Sequence, residues 1–310
     1  MAINHTEMAH ELADGLDLRD PLSIVALLAD AQVKAAGVVG DAGERIAEAA
    51  WAAAEILRAG GRIVYVGAGS AGLMALADTL ELPGTFGIPR ERIVMLFAGA
   101  PHTLFDMKGV AEDDADAGRG DTEAVGLAKG DCMVAVSASG STPYTLAALE
   151  HASARGAVTI AFANNANAPL LEAAAIPVYI ATAPEIVAGS TRLGAATAQK
   201  IALNIFSTLV AVHLGHIHDG LMVNVHPDNA KLRGRATSIV STVADIDEAF
   251  AVQCLERAGW SVKHAILLAR GAASFGEAQS LLDSGGMRLR SALEILGAKT
   301  NSADHGRLEE

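Results

Sequence analysis

The chain is poor in several things, and each shortage excludes something. Only 2 of its 310 residues are cysteine and 4% are aromatic. Cys132 and Cys254 stand far apart, without the spacing of a zinc or redox site, so both read as buried thiols. Few aromatics among 51% hydrophobic residues predict an aliphatic, alanine-rich core packed closely by helices. Basic clusters are missing as well. A net charge of −13 with no Lys/Arg run excludes a nucleic-acid surface, where phosphates need a basic face. A small anion stays open, because a few N–H groups and hydroxyls can hold one locally. No segment reaches the roughly 20 uninterrupted apolar residues of a membrane span; the nearest, Ile201 to Leu214, is broken by Asn204, Ser207 and Thr208. The opening residues lack the basic region and apolar core of a secretion signal. These absences predict a cytoplasmic protein with neither membrane nor nucleic acid as partner.

Short apolar runs alternating with helical patterns fill the middle of the chain. The runs Arg62–Val66, Ile93–Phe97, Met133–Val136, Val158–Phe162 and Ile176–Ile180 have strand composition. Helical patterns at Ala71–Leu82, Pro143–Arg155 and Ala166–Ala174 lie between them, which predicts an α/β fold with a parallel five-stranded sheet covered by helices on both faces. Residues 1–45 read as an N-terminal helical arm, 46–235 as the α/β domain and 236–297 as a small helical domain. The short helices of that small domain are expected to part at Gly259-Trp260, Phe275-Gly276 and Gly285-Gly286, and 298–310 is expected to be a disordered tail.

Three turns carry similar chemistry. They are Tyr65-Val-Gly-Ala-Gly-Ser-Ala-Gly72, Val136-Ser-Ala-Ser-Gly-Ser-Thr-Pro-Tyr144, and Gly189-Ser-Thr-Arg192 ahead of a long apolar helix from about Ala195. A helix start carries unpaired N–H groups and about half a positive charge, so it attracts anions. Hydroxyls add donors without filling the space. Three such turns at strand ends suggest a pocket for a phosphorylated, hydroxyl-rich ligand, a sugar phosphate first. The glycines Gly67, Gly69 and Gly72 also fit a dinucleotide fingerprint, but the next strand ends Phe97-Ala-Gly-Ala-Pro101 without the acid that would hold a ribose. His213, His216 and His218 invite a metal reading; histidines near a helix C-terminus are the simpler account.

Taken together, these turns resemble the SIS (sugar isomerase) domain, and most closely the N-acetylmuramic acid 6-phosphate etherase family. The likeness runs from about Gly60 to Leu296. It includes Gly61 to Gly69, Glu81-Leu-Pro-Gly-Thr-Phe-Gly87, Ala111-Glu-Asp113, Ala138 to Tyr144, Gly189-Ser-Thr-Arg192 with Thr197-Ala-Gln-Lys200, and Leu221-Met-Val-Asn-Val225. Where that family has arginine after each glycine turn, this chain has Leu73 and Ser141. The resemblance implies an SIS-type, flavodoxin-like sheet, a homodimer, and a lyase of cell-wall sugar recycling. Such a lyase removes the D-lactyl ether of N-acetylmuramic acid 6-phosphate and leaves N-acetylglucosamine 6-phosphate.

It also implies two catalytic residues, Glu112 as base at C2 and Glu81 as proton donor to the departing ether oxygen, with no metal or cofactor. Taken alone, each glutamate is as compatible with a solvated surface acid. Gly69, Ser70, Ser137, Ser139, Ser141, Thr142, Ser190 and Thr191 are the expected substrate-binding residues. Two alternatives share the architecture: a non-catalytic sugar-phosphate sensor of the glucokinase-regulator type, and an aldose–ketose isomerase.

Overall fold

The computed structural model describes residues 5–107 and 109–305. Helix α1 (Pro21–Gly37) starts where Asp20 accepts from the N–H groups of Leu22 and Ser23, with Pro21 in the first turn, where its missing N–H costs nothing. The chain passes through a 3-10 turn at Val38–Ala42 directly into α2 (Gly43–Arg58). The strands and helices of the sheet follow as β1 (Ile63–Gly67), α3 (Gly69–Phe86), β2 (Ile93–Phe97), α4 (Ala115–Ala124), β3 (Cys132–Ser137), α5 (Pro143–Ala154), β4 (Val158–Ala163), α6 (Pro169–Ala173), β5 (Ile176–Tyr179) and α7 (Gly194–His213). All five expected strands form, within a residue of their predicted limits.

The sheet is parallel throughout, in the order β2-β1-β3-β4-β5. Its central strands β1 and β3 are buried along their whole length, which is why they lack polar alternation. One face packs Val64, Val66, Met133 and Ala135 against Tyr144, Ala148 and Leu149 of α5. Elsewhere Phe206 of α7 meets Tyr65 and Phe162 edge-on, at centroid distances of 6.5 and 5.9 Å. Buried Asp78 ties α3 to α7: it accepts from the Tyr65 hydroxyl at 3.0 Å, the Asn204 amide at 2.9 Å and the Ser207 hydroxyl at 2.8 Å. Burial beside that carboxylate pushes the Tyr65 phenol well above its ordinary pKa.

By their internal contacts the residues fall into two compact units. One holds Met1–Leu80 and Arg90–Val210, the other Glu81–Pro89 and Ala211–Glu310. The expected limits at 45 and 235 therefore move. The arm belongs to the sheet's unit, and the helical unit begins earlier because the last two strands, β6 (Ile217–His218) and β7 (Leu221–Met222), pair only with each other. Asp219 and Gly220, both at positive φ, make their two-residue turn. Gly87 joins this unit by packing on Asn224, whose amide donates to the Phe86 carbonyl at 3.2 Å.

The helical unit continues through α8 (Ala230–Ala244), α9 (Glu248–Arg257), α10 (Val262–Ala269), α11 (Phe275–Ser284) and α12 (Leu289–His305). Phe275-Gly276 opens a helix rather than parting two, since Ser274 caps it by accepting from Glu277 N–H. The expected tail is helical as far as His305. After Gly297 no glycine or proline interrupts the pattern before residue 306, and 306–310 lie outside the described residues.

Among the described residues two stretches, Pro21–Arg58 and Gly194–His213, are long and apolar enough to cross a membrane by length and composition. Each has another account. Gly194–His213 is α7, more than half buried, and Pro21–Arg58 is two helices broken by the 3-10 turn. Leu22, Val25 and Val33 nevertheless leave an apolar face of α1 exposed, at 80%, 63% and 70%.

Candidate active site

In a sheet of this order, the connections leaving β1 and β3 diverge and open a crevice at the strands' carboxyl ends. A cavity of about 330 Å3 lies there. Gly69 and Ser70, following β1, form one side of it. Ser137, Ser139 and Thr142, following β3, form another, with Gly189 and Thr191 from the third turn.

The β3 loop is built from its own hydroxyls. Ser137 Oγ lies 2.8 Å from Thr142 Oγ1 and accepts from Gly140 N–H at 3.0 Å, and Ser139 Oγ accepts from Ser141 N–H at 3.2 Å. Thr142 occupies the cap position of α5 yet makes no side-chain cap bond, its hydroxyl being turned to Ser137. With Pro143 at the first position, the helix start is left open to an acceptor from outside the helix.

The turn before α7 uses the same residue types differently. Buried Glu185 accepts from Gly194 N–H at 2.9 Å and from Ala195 N–H at 2.8 Å. The positive end of that helix is thus already occupied by a carboxylate of the chain itself, against the expectation that it attracts a ligand anion. What this turn gives the cavity is Gly189 and Thr191.

Glu112 sits on a 3-10 turn, Gly109–Asp113, ahead of α4. The acidic run is only partly an exposed helix start: Asp114 caps α4 by accepting from Ala117 N–H at 2.8 Å, while Glu112 turns back, half-buried, into the cavity. Its carboxylate occupies space that Gly69 leaves empty. A Cβ on Gly69, which has φ +51°, would lie 2.7 Å from Glu112 Oε1. A neighbouring pair serves the same turn, because Gly67 and Gly72 approach so closely that a Cβ on either would strike the other's backbone at 2.9 Å. Burial, and then the charge of Asp113, raise the Glu112 pKa above its ordinary value.

The glycine fingerprint is thus spent on close packing and on a carboxylate. Models of the SIS domain match residues 28–164 and 121–214. An N-acetylmuramic acid 6-phosphate etherase of Deinococcus radiodurans is 42% identical over 299 residues, 96% of this chain and 98% of that one. Another, of Rubrobacter xylanophilus, is 40% identical over 88% of this chain and 91% of that one. This chain belongs to the N-acetylmuramic acid 6-phosphate etherase family. A solved phosphoheptose isomerase from Francisella tularensis is also similar, at 19% identity and a TM-score of 0.49 over 63% of this chain and 98% of that one, a likeness too distant to argue from.

In this etherase-family chain the cavity brings together Gly69, Ser70, Glu112, Ser137, Ser139, Thr142 and Thr191. Ser141, Ser190 and Glu81 are not among its lining residues. Ser141 is exposed beside the loop, and Glu81 is exposed on α3, twelve residues after Gly69 and in the other unit. The histidines do not share a helical face, because α7 ends at His213, and among the described residues no His, Cys, Asp and Glu side chains gather as a metal site. Three cavity residues went unforeseen: Thr6 and Glu7 of the arm, and Met107. Only the polar pair Asn164-Asn165 at the end of β4, a strand end that invites a partner, offered a signal for the first two.

Proposed function

We propose that this protein is a carbon–oxygen lyase that converts N-acetylmuramic acid 6-phosphate to N-acetylglucosamine 6-phosphate and D-lactate. The observation that carries it is the half-buried Glu112 carboxylate, held at the empty side of Gly69 within reach of a hydroxyl loop and an open helix start. In the open-chain sugar the aldehyde acidifies the C2 proton. Glu112 takes that proton, the C2 electron pair forms the C2–C3 double bond, and the C3–O ether bond breaks. An acid protonates the departing lactate oxygen. Water then adds, its oxygen at C3 and a proton at C2. A carboxyl raised above its usual pKa is the better base near neutral pH, and a positioned base contributes about 10²–10⁴-fold. The Ser137–Thr142 loop holds the phosphate, and Ser70 and Thr191 meet sugar hydroxyls.

Glu81 is the proton donor in this reading, and it acts across a homodimer. Glu81 is exposed and is not among the residues that line the Glu112 cavity. A second copy brings its own Glu81 to the Glu112 cavity, and the exposed apolar face of α1 supports such pairing. The reaction belongs in the cytoplasm, in the recycling of cell-wall sugar.

Release of D-lactate from N-acetylmuramic acid 6-phosphate tests the activity. Folded protein that binds the sugar phosphate without releasing lactate contradicts it and favours a sensor; C2 proton exchange without lactate favours an isomerase. Mixing inactive Glu81→Gln and Glu112→Gln chains tests the shared site. Reassorted dimers hold one intact pair of acids and regain activity, whereas a site within one chain regains none.

A further inference from the structure

The first described residues are fastened to the cavity by a side chain about 160 positions away. Thr6 N–H donates to Asn165 Oδ1 at 3.2 Å, and Asn165 Nδ2 donates to Thr6 Oγ1 at 3.1 Å. Gly189 N–H donates to the Thr6 carbonyl at 3.1 Å. Thr6 is consequently buried. The same Asn165 amide also donates to the Ser139 carbonyl at 3.1 Å, in the hydroxyl loop. One asparagine therefore fixes the arm and the loop together.

This fastening sets Glu7 at the cavity, its carboxylate against the bare face of Gly189: a Cβ there would lie 2.9 Å from Glu7 Oε2. Among the described residues the lining then holds two carboxylates, Glu7 and Glu112, six hydroxyl side chains and no lysine or arginine. An ionised carboxylate accepts hydrogen bonds and repels anions. Glu7 is therefore matched to the neutral, donor-bearing part of a ligand, away from its phosphate.

We propose that Thr6 and Glu7 form a strap along this cavity and that Glu7 is a specificity-determining substrate-binding residue, accepting hydrogen bonds from the hydroxyl groups of the bound sugar. It would also set orientation, disfavouring any pose that turns an anionic end toward the strap. The proposal rests on reading the cavity as a sugar-phosphate site, not on lactate release.

The test compares the wild-type protein with Glu7→Ala and Glu7→Gln, by calorimetric binding of N-acetylglucosamine 6-phosphate and, separately, of inorganic phosphate. Hydrogen bonds to a charged group commonly change affinity by about tenfold or more. Glu7→Ala is expected to weaken the sugar phosphate by at least that factor, with Glu7→Gln intermediate. Inorganic phosphate should bind as well as before or better, and the lactate assay should show a raised KM with kcat little changed. Unchanged sugar-phosphate affinity in Glu7→Ala overturns the assignment. So does equal weakening of both ligands, which marks a strap that only supports the loop. A wild-type protein that binds no sugar phosphate overturns the reading of the cavity, and the role of Glu7 with it.

Discussion

The loop after β3 and the turn before α7 are written in nearly the same residues, Ser-Gly-Ser-Thr and Gly-Ser-Thr, and do opposite things with them. In the first, Thr142 turns away from capping and leaves the start of α5 open beside the cavity. In the second, Glu185 fills the start of α7 with two hydrogen bonds. The difference is one buried carboxylate, supplied from outside the motif. A hydroxyl-rich turn ahead of a helix is thus an anion site only where the chain has not already satisfied the helix start.

Breaking the open loop should have the largest effect. Ser137→Ala with Thr142→Val removes two hydroxyls from the loop at the cavity, so kcat/KM for lactate release should fall about 10²-fold or more, while the thermal midpoint falls less than in Glu185→Ala, because only the Gly140 N–H loses its partner. Glu185→Ala should reverse that pattern. It leaves two buried N–H groups unpaired at a cost of about 1–3 kcal/mol each, lowering the midpoint of a thermal melt by several degrees, while the affinity for N-acetylglucosamine 6-phosphate falls less than in the loop variant. If Glu185→Ala proves the worse binder, the two turns have been assigned the wrong way round. Thr191→Val, which removes the sealed turn's one hydroxyl at the cavity, should weaken the sugar phosphate only several-fold.

The smallest effect sharpens the role of the carboxylate between the turns. The charge of Asp113 helps keep the Glu112 pKa high by disfavouring the ionised form. Asp113→Asn removes that repulsion, so the Glu112 pKa falls and its basic form persists at lower pH. The acid limb of the pH–rate profile should therefore move to lower pH; a shift upward, or none, contradicts the assignment of that limb to Glu112.

Much of this was legible in the residues. Strands such as Ile63–Gly67 and Cys132–Ser137, buried on both faces, announce themselves as unbroken apolar runs between glycine-rich turns, and the loop Ser137 to Thr142 follows from its local composition. The rest depends on partners distant in sequence. Thr6 is placed by Asn165, and the start of α7 is sealed by Glu185, bonds that no local pattern records.

The most direct measurement is lactate release by Glu112→Gln, with binding of N-acetylglucosamine 6-phosphate determined on the same sample. Loss of about 10²–10⁴-fold in rate with affinity kept within a few-fold is the predicted result. Lactate released at the wild-type rate by protein that still binds the sugar phosphate contradicts the account.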